Sequence, residues 1–309
     1  MSASQRILVV GSVALDSIRT PYGEVTEALG GSASYFSFSA SHFAPVSVVA
    51  VVGEDFPIEH RDRLLERGVD LAGLEMAPGR TFRWRGEYAA ELGHAHTLET
   101  QLNVFADFHP RLTDAHRRTP YVFLANIDPE LQLEVLGQMR RPTLTLSDTM
   151  NYWIARKPDR VFEVLRRVDI ALLNEEEASA LSGETHLARA ADRLLDRGAN
   201  AVIIKKGEHG ALYHSREERF FTPAYPVTAL TDPTGAGDSF AGGFLGSLAR
   251  FGRSDGAAIC QAMACGTAMA SLAIESFSPQ RLIGTAPPEI EGRVRALHHM
   301  VHYDLSPMF

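Results

Sequence analysis

The chain has 309 residues, of which 45% are apolar and 22% charged, with a formal net charge of −8. This is ordinary for a globular protein and long enough for one large domain or two smaller ones. Acidic and basic residues are mixed along the chain, which excludes the basic patch that nucleic acid demands, and no continuous apolar run reaches the roughly 18–20 residues of a membrane span.

The first residues, "MSASQRILVV", hold too short an apolar run for a signal peptide and lead directly into a strand. "RILVVG" (6–11) is a continuous apolar run closed by glycine, the pattern of a parallel strand buried on both faces. Residues 12–29 read as a short strand pair with a turn near "TPYG". A helix is expected over 34–43, a second buried strand at "VSVVAVVG" (46–53), and a helix over 57–67. Residues 80–106 alternate with period two, so Phe82 and Trp84 share one strand face and Arg83 and Arg85 the other. Strands follow at 121–126, 144–148, 170–174 and 201–207. Helices follow at 129–139, 157–166, 175–181, 187–197, 238–252 and 254–274. Cys260 and Cys265 lie in the last of these. They form neither a disulfide framework nor a metal knuckle, and a reducing, cytoplasmic setting is expected.

Alternation of β and α with short connections predicts an α/β fold with a mainly parallel sheet. Many strand runs end in glycine or a polar residue: Gly11, Gly53, Asn126, Asp148, Asn174 and Gly207. Ligands of open parallel sheets bind beyond the carboxyl ends of strands, so these residues are candidates for one shared rim. Segments 12–29 and 80–106 interrupt the alternation and are expected to form a small β flap on one domain spanning 1–309. The alternative is a pair of surface hairpins without function.

The chemistry concentrates in "DPTGAGDSFAGGF" (232–244). Glycine is entropically costly, so such density implies a sharp turn or a close backbone approach. The peptide N–H groups of Gly235, Ala236 and Gly237 at the start of a helix make an anion site. No GxxxxGK[ST] loop and no GxGxxG fingerprint after the first strand is present, which disfavours a P-loop enzyme and a nicotinamide-dependent dehydrogenase. Asp238 inside an anion site opposes ground-state binding, but suits a carboxylate that takes a proton from an attacking hydroxyl. The other reading of Asp238 is a helix cap.

This segment resembles the C-terminal signature of the PfkB, or ribokinase-like, carbohydrate kinase family, D-x-x-G-A-G-D-x-F. Further likeness runs through "VVGSVALDSI" (9–18), "GGSASYFSFSA" (30–40), "VVGEDFP" (51–57), "SDTMNYWI" (147–154), "NEEEA" (174–178) and "VIIKKGEHGALY" (202–213). The resemblance implies a three-layer α/β/α sandwich with a small β-strand lid. It also implies ATP-dependent phosphorylation of a hydroxyl on a small sugar or nucleoside. Asp238 would be the general base, and Gly235, Ala236 and Gly237 the anion hole. Asp16, Gly30, Gly31, Tyr35 and Asp148 would contact the acceptor. Asn174, Lys205, Gly207, Gly210 and Thr234 would contact the nucleotide. Glu177 would hold Mg²⁺ through water, and Asp232 would serve a monovalent-cation site for K⁺. A homodimer through the lid is a further implication.

The chain departs from the family pattern in places. Tyr35 stands where Asn is frequent, Met150 at the Asn of the D-x-N segment, and Lys205 where Thr is frequent. "SLAIESFSP" departs from the small-residue pattern near the potassium site. These departures keep a catalytically silent ligand-binding protein in view as the alternative. Lys205 and Lys206 alternate faces at a strand end, so only Lys205 is expected to point at phosphates. Arg83 and Arg85 would suit a sugar phosphate if turned inward, but an outward, solvated face is expected. Tyr35, Phe36, Phe82, Trp84 and Trp153 are candidates to stack on a base or sugar, against ordinary core roles. His298 and His302 are spaced i, i+4 as metal ligands can be, yet are expected on an exposed helix.

Overall fold

The computed structural model of the chain describes residues 5–89, 93 and 95–302. Residues 90–92 and 94 of the expected flap, and residues 1–4 and 303–309, lie outside them. The chain opens with β1 (Ile7–Val10), β2 (Ala14–Thr20), β3 (Gly23–Gly30), α1 (Ser32–Ala40), β4 (Val46–Gly53), α2 (Ile58–Glu66) and β5 (Asp70–Ala77). It continues through β6 (Arg83–Tyr88), β7 (Ala95–Gln101), β8 (Tyr121–Leu124), α3 (Pro129–Gln138), β9 (Leu144–Ser147), α4 (Asn151–Arg156) and α5 (Pro158–Arg167). Then come β10 (Ile170–Asn174), α6 (Glu175–Ser182), α7 (Leu187–Asp196), β11 (Ala201–Lys205), β12 (Ala211–Ser215) and β13 (Arg219–Thr222). The last elements are α8 (Ala236–Phe251), α9 (Gly256–Ala273), α10 (Gln280–Gly284) and α11 (Pro287–Val301).

A nine-stranded sheet runs β13-β12-β11-β10-β9-β8-β1-β4-β5. It is parallel from β11 to β5, and β12 and β13 add on antiparallel. Central strands are apolar throughout because helices cover both faces. Ile7 and Val9 of β1 pack with α1, α8 and α9, whereas Leu8 and Val10 pack with α3, α5, α6 and α7. Each strand thus divides its side chains between two cores by the two-residue pleat. Among the described residues, α9 has the length and mean hydropathy (1.3) of a membrane span, but 67% of it is buried. Its backbone lies close against α8, as expected of a core helix.

A second sheet runs β3-β2-β6-β7. It comes from the two segments expected to form the flap. Its side chains alternate: Asp16, Ile18 and Thr20 are buried, whereas Ser17 is half-buried and Arg19 exposed. The buried face meets the main body, where Thr20 Oγ1 donates to Thr231 O at 2.9 Å and Ser278 Oγ to Leu29 O at 2.6 Å.

Candidate active site

The glycine turn at the start of α8 is fixed by its own loop. Asp232 Oδ1 accepts the Thr234 N–H at 2.9 Å, and the N–H groups of Thr231 and Asp232 both donate to Ile274 O. Gly235 caps α8 with φ 75°, a left-handed conformation that only glycine adopts without strain. A Cβ there would also overlap the Tyr35 ring directly beneath it. The Ala236 N–H donates to Pro233 O at 3.2 Å, so it is committed within the turn. The Ser239 N–H donates to Gly235 O at 2.8 Å, whereas the N–H groups of Gly237 and Asp238 precede the helical ladder, where no intrahelical acceptor is in reach.

Asp238 lies in the first turn of α8. Burial raises its pKa to about 7, and Asp148 pushes in the same direction while Lys205 opposes it. Facing it from the small sheet is Asp16, 5% exposed, whose Oδ2 accepts the Gly31 N–H at 3.3 Å. Burial lifts Asp16 to about 7 as well, against that hydrogen bond, and Asp232 and Asp238 add repulsion. Gly30 must lack a side chain because the Asp16 carboxylate occupies the Cβ position. Gly31 precedes α1 at φ 88°.

A third strand-end group closes the cluster. Asp148 follows β9, and its Oδ2 accepts from Lys205 Nζ at 2.7 Å, with side chains 7% and 19% exposed. Lys205 ends β11, with its ammonium 3.0 Å from where a Gly237 Cβ would stand. Burial alone would lower Lys205; Asp148 and Glu177 outweigh it and raise its pKa. Asn174 and Glu177 form a capping box at α6. The Glu177 N–H donates to Asn174 Oδ1 at 2.8 Å, and the Asn174 N–H to Glu177 Oε2 at 2.7 Å. Burial raises Glu177 to about 7, with Lys205 opposing and Asp148 adding.

The expected residues fall into distinct places. Asp16, Asp148, Glu177, Lys205, Asp232 and Asp238 are electrostatic neighbours. Thr234 joins them through its hydroxyl, 3.0 Å from the Tyr88 hydroxyl of β6. Tyr35 is 1% exposed and lies under the turn. Its hydroxyl is buried without a hydrogen-bond partner among the described residues, and burial together with Asp232 raises its pKa strongly. Gly207 and Gly210 shape the β11–β12 connection, where a Cβ at Gly210 would overlap Thr222 O. Lys206 pairs instead with Glu175 at 3.2 Å.

Several expectations change. Arg85 is exposed, but Arg83 is not solvated. Its side chain is 14% exposed and bridges Asp55 at 2.8 Å and Glu27 at 2.6 Å. Phe36 stacks on Phe123 in the core, and Phe82 on Phe105. His298 and His302 sit on an exposed helix end, and no metal-binding group of three or more His, Cys, Asp or Glu occurs among the described residues. Tyr88 was not singled out by sequence reasoning, although it continues the Trp84 face at period two.

A parallel sheet covered on both faces, a small sheet against its carboxyl edge and a buried Asp behind a glycine turn define a ribokinase-like kinase. Residues 4–285 match the model of the pfkB family carbohydrate kinase, and the chain belongs to that family. It is a phosphotransferase that acts on a hydroxyl group. A cytidine kinase of Thermococcus kodakarensis is 30% identical over 249 residues, 79% of this chain and 88% of that protein. The Methanocaldococcus jannaschii nucleoside kinase structure matches with TM-score 0.76 and 18% identity, covering 94% of this chain and 98% of the other. A putative ribokinase II from E. coli in complex with ATP and Mg²⁺ matches with TM-score 0.76 and 21% identity, over 94% and 99%.

Proposed function

We propose that the protein transfers the γ-phosphoryl group of ATP to a hydroxyl of a small sugar or nucleoside, with Asp238 as general base. The observation that carries this reading is the approach of Asp238 at the glycine turn to Asp16 on the small sheet, close enough for Asp238 to raise the proton affinity of Asp16. Asp16 accepts hydrogen bonds from acceptor hydroxyls and holds one of them toward Asp238. The acceptor oxygen bonds to the γ-phosphorus as the bond to the β–γ bridging oxygen breaks, and its proton passes to the Asp238 carboxylate. An aspartate cannot strip an alcohol beforehand, but the oxygen becomes acidic as the new bond forms. The uncommitted amides of the turn donate to the transferred group. Lys205, beside Gly237, carries positive charge to the same place.

The excess of carboxylates around Lys205 fits a divalent cation. Glu177, with Asn174 fixed beside it, would hold Mg²⁺ through water, and the ion when bound neutralises phosphate charge. Asp232 Oδ2 is buried and without a hydrogen-bond partner among the described residues, which fits a monovalent cation such as K⁺. The small sheet acts as a lid that excludes water and limits ATP hydrolysis. Its outer face holds a groove of about 440 Å³ lined by Arg19, Glu24, Arg85 and Glu99 among others, whose mixed charges suit a second copy.

The experiment is a panel of sugars, sugar phosphates and nucleosides with Mg·ATP, read by ADP release. Acceptor-dependent ADP release with at least one sugar or nucleoside is expected. Tight nucleotide binding with no turnover on any acceptor would favour a silent binding protein.

A further inference from the structure

The inner face of the small sheet carries an aromatic surface that the mechanism does not use. β6 runs parallel to β2, with Trp84 opposite Asp16 and Gly86 opposite Ile18. Paired residues of neighbouring strands project from the same face, so Trp84 stands beside the Asp16 carboxylate. That face is turned toward the glycine turn, as the contact of Tyr88 with Thr234 shows. The indole bends along its own strand and lies over Gly86, where any Cβ would fall on its six-membered ring. Its Nε1 donates to Thr97 Oγ1 at 3.2 Å. One ring face is therefore spent against backbone, the ring is held in place from β7, and the side chain stays partly exposed. A core tryptophan would bury both faces.

We propose that Trp84 is a stacking platform for a planar base on the acceptor, so that the acceptor is a nucleoside and not a free pentose. The proposal rests on the kinase reading above. Neighbouring strands lie about 4.8 Å apart, so platform and carboxylate stand side by side, as base and hydroxyls do on a nucleoside. Asp16 grips the sugar while the indole receives the base. Stacking accepts any base, because every base has a π-face. Selection among bases then falls to other groups.

The chain has two tryptophans, so Trp153→Phe leaves Trp84 as the only indole emitter. In that protein, cytidine or inosine should quench the emission, and D-ribose should not. Trp84→Ala should raise the nucleoside KM about 10- to 100-fold, the range for losing one stacked base. Its kcat should stay within about threefold and its ATP KM within about twofold of wild type. Trp84→Phe, which keeps a π-face, should restore most of the loss. A structural defect would instead disturb ATP binding and the melting temperature as well. The platform is overturned if neither nucleoside quenches Trp84, if Trp84→Ala leaves the nucleoside KM unchanged, or if D-ribose matches nucleosides in kcat/KM. Quenching by a nucleoside without ADP release would support the platform and remove the kinase step alone.

Discussion

As the proposed general base, Asp238 carries opposing demands. A base must be ionised to take a proton, yet burial lifts its pKa from 3.8 to about 7. The sign of the stability effect follows. Between those values the unfolded chain releases the proton and the folded chain retains it, so the wild type loses stability as pH rises from about 4 to about 7. Asn at 238 does not titrate. The melting temperature of Asp238→Asn minus that of wild type, measured without nucleotide, should therefore grow by about 3 °C or more between pH 5 and pH 8. A constant difference would mean that the carboxyl is not held protonated by burial. The turn and its aspartate were legible because glycine density beside a carboxylate has few structural uses. Lys205 was legible against Lys206 from strand alternation. The place of Tyr35 was not, since nothing local tells an aromatic under a turn from one lining a pocket.

At the scale of elements, the turn before α8 and the entry to β6 of the small sheet set the geometry. Gly235→Ala would strain the left-handed residue by about 1–2 kcal/mol and drive a methyl into the Tyr35 ring. It should lower kcat at least about 100-fold, comparable to losing an oxyanion donor, while the protein still folds and melts a few degrees lower. Activity within about tenfold of wild type would mean that the turn tolerates displacement. The entry to β6 is tied by Asp55, which accepts the Thr81 N–H at 2.7 Å, the Thr81 hydroxyl at 2.8 Å and Arg83. Asp55→Ala loses charge-assisted hydrogen bonds worth about 1.5–3 kcal/mol when intact. It should raise the acceptor KM about three- to tenfold, with the ATP KM unchanged. Equal effects on both substrates would detach this tie from the acceptor side. Elements with continuous apolar runs or helical periodicity were readable. β5, β12 and β13 were not, because strands at or next to the sheet edges are covered on fewer sides and show neither a continuous apolar run nor clean alternation. The helices α4 and α10 are too short to display a period.

Over the whole molecule, the site is assembled from segments far apart in sequence. Asp16 comes from β2, Asp148 from just beyond β9, Glu177 from the first turn of α6, Lys205 from β11, and Asp238 from α8. Parallel strands deliver their carboxyl ends to one edge, and the small sheet brings Asp16 across to meet them. The strand ends foretold the rim, whereas the meeting of Asp16, Asp232 and Asp238 depends on how the small sheet docks, which no local pattern encodes. The kcat of Asp238→Asn on the best acceptor, with nucleotide affinity measured alongside, is the most direct test of this account. The amide keeps the shape but cannot accept the proton as a carboxylate does. A fall in kcat of about 10²–10⁴, the usual worth of general-base catalysis, with nucleotide binding retained is expected. A kcat within about tenfold of wild type would contradict the account and leave Asp238 a helix-capping or positioning group.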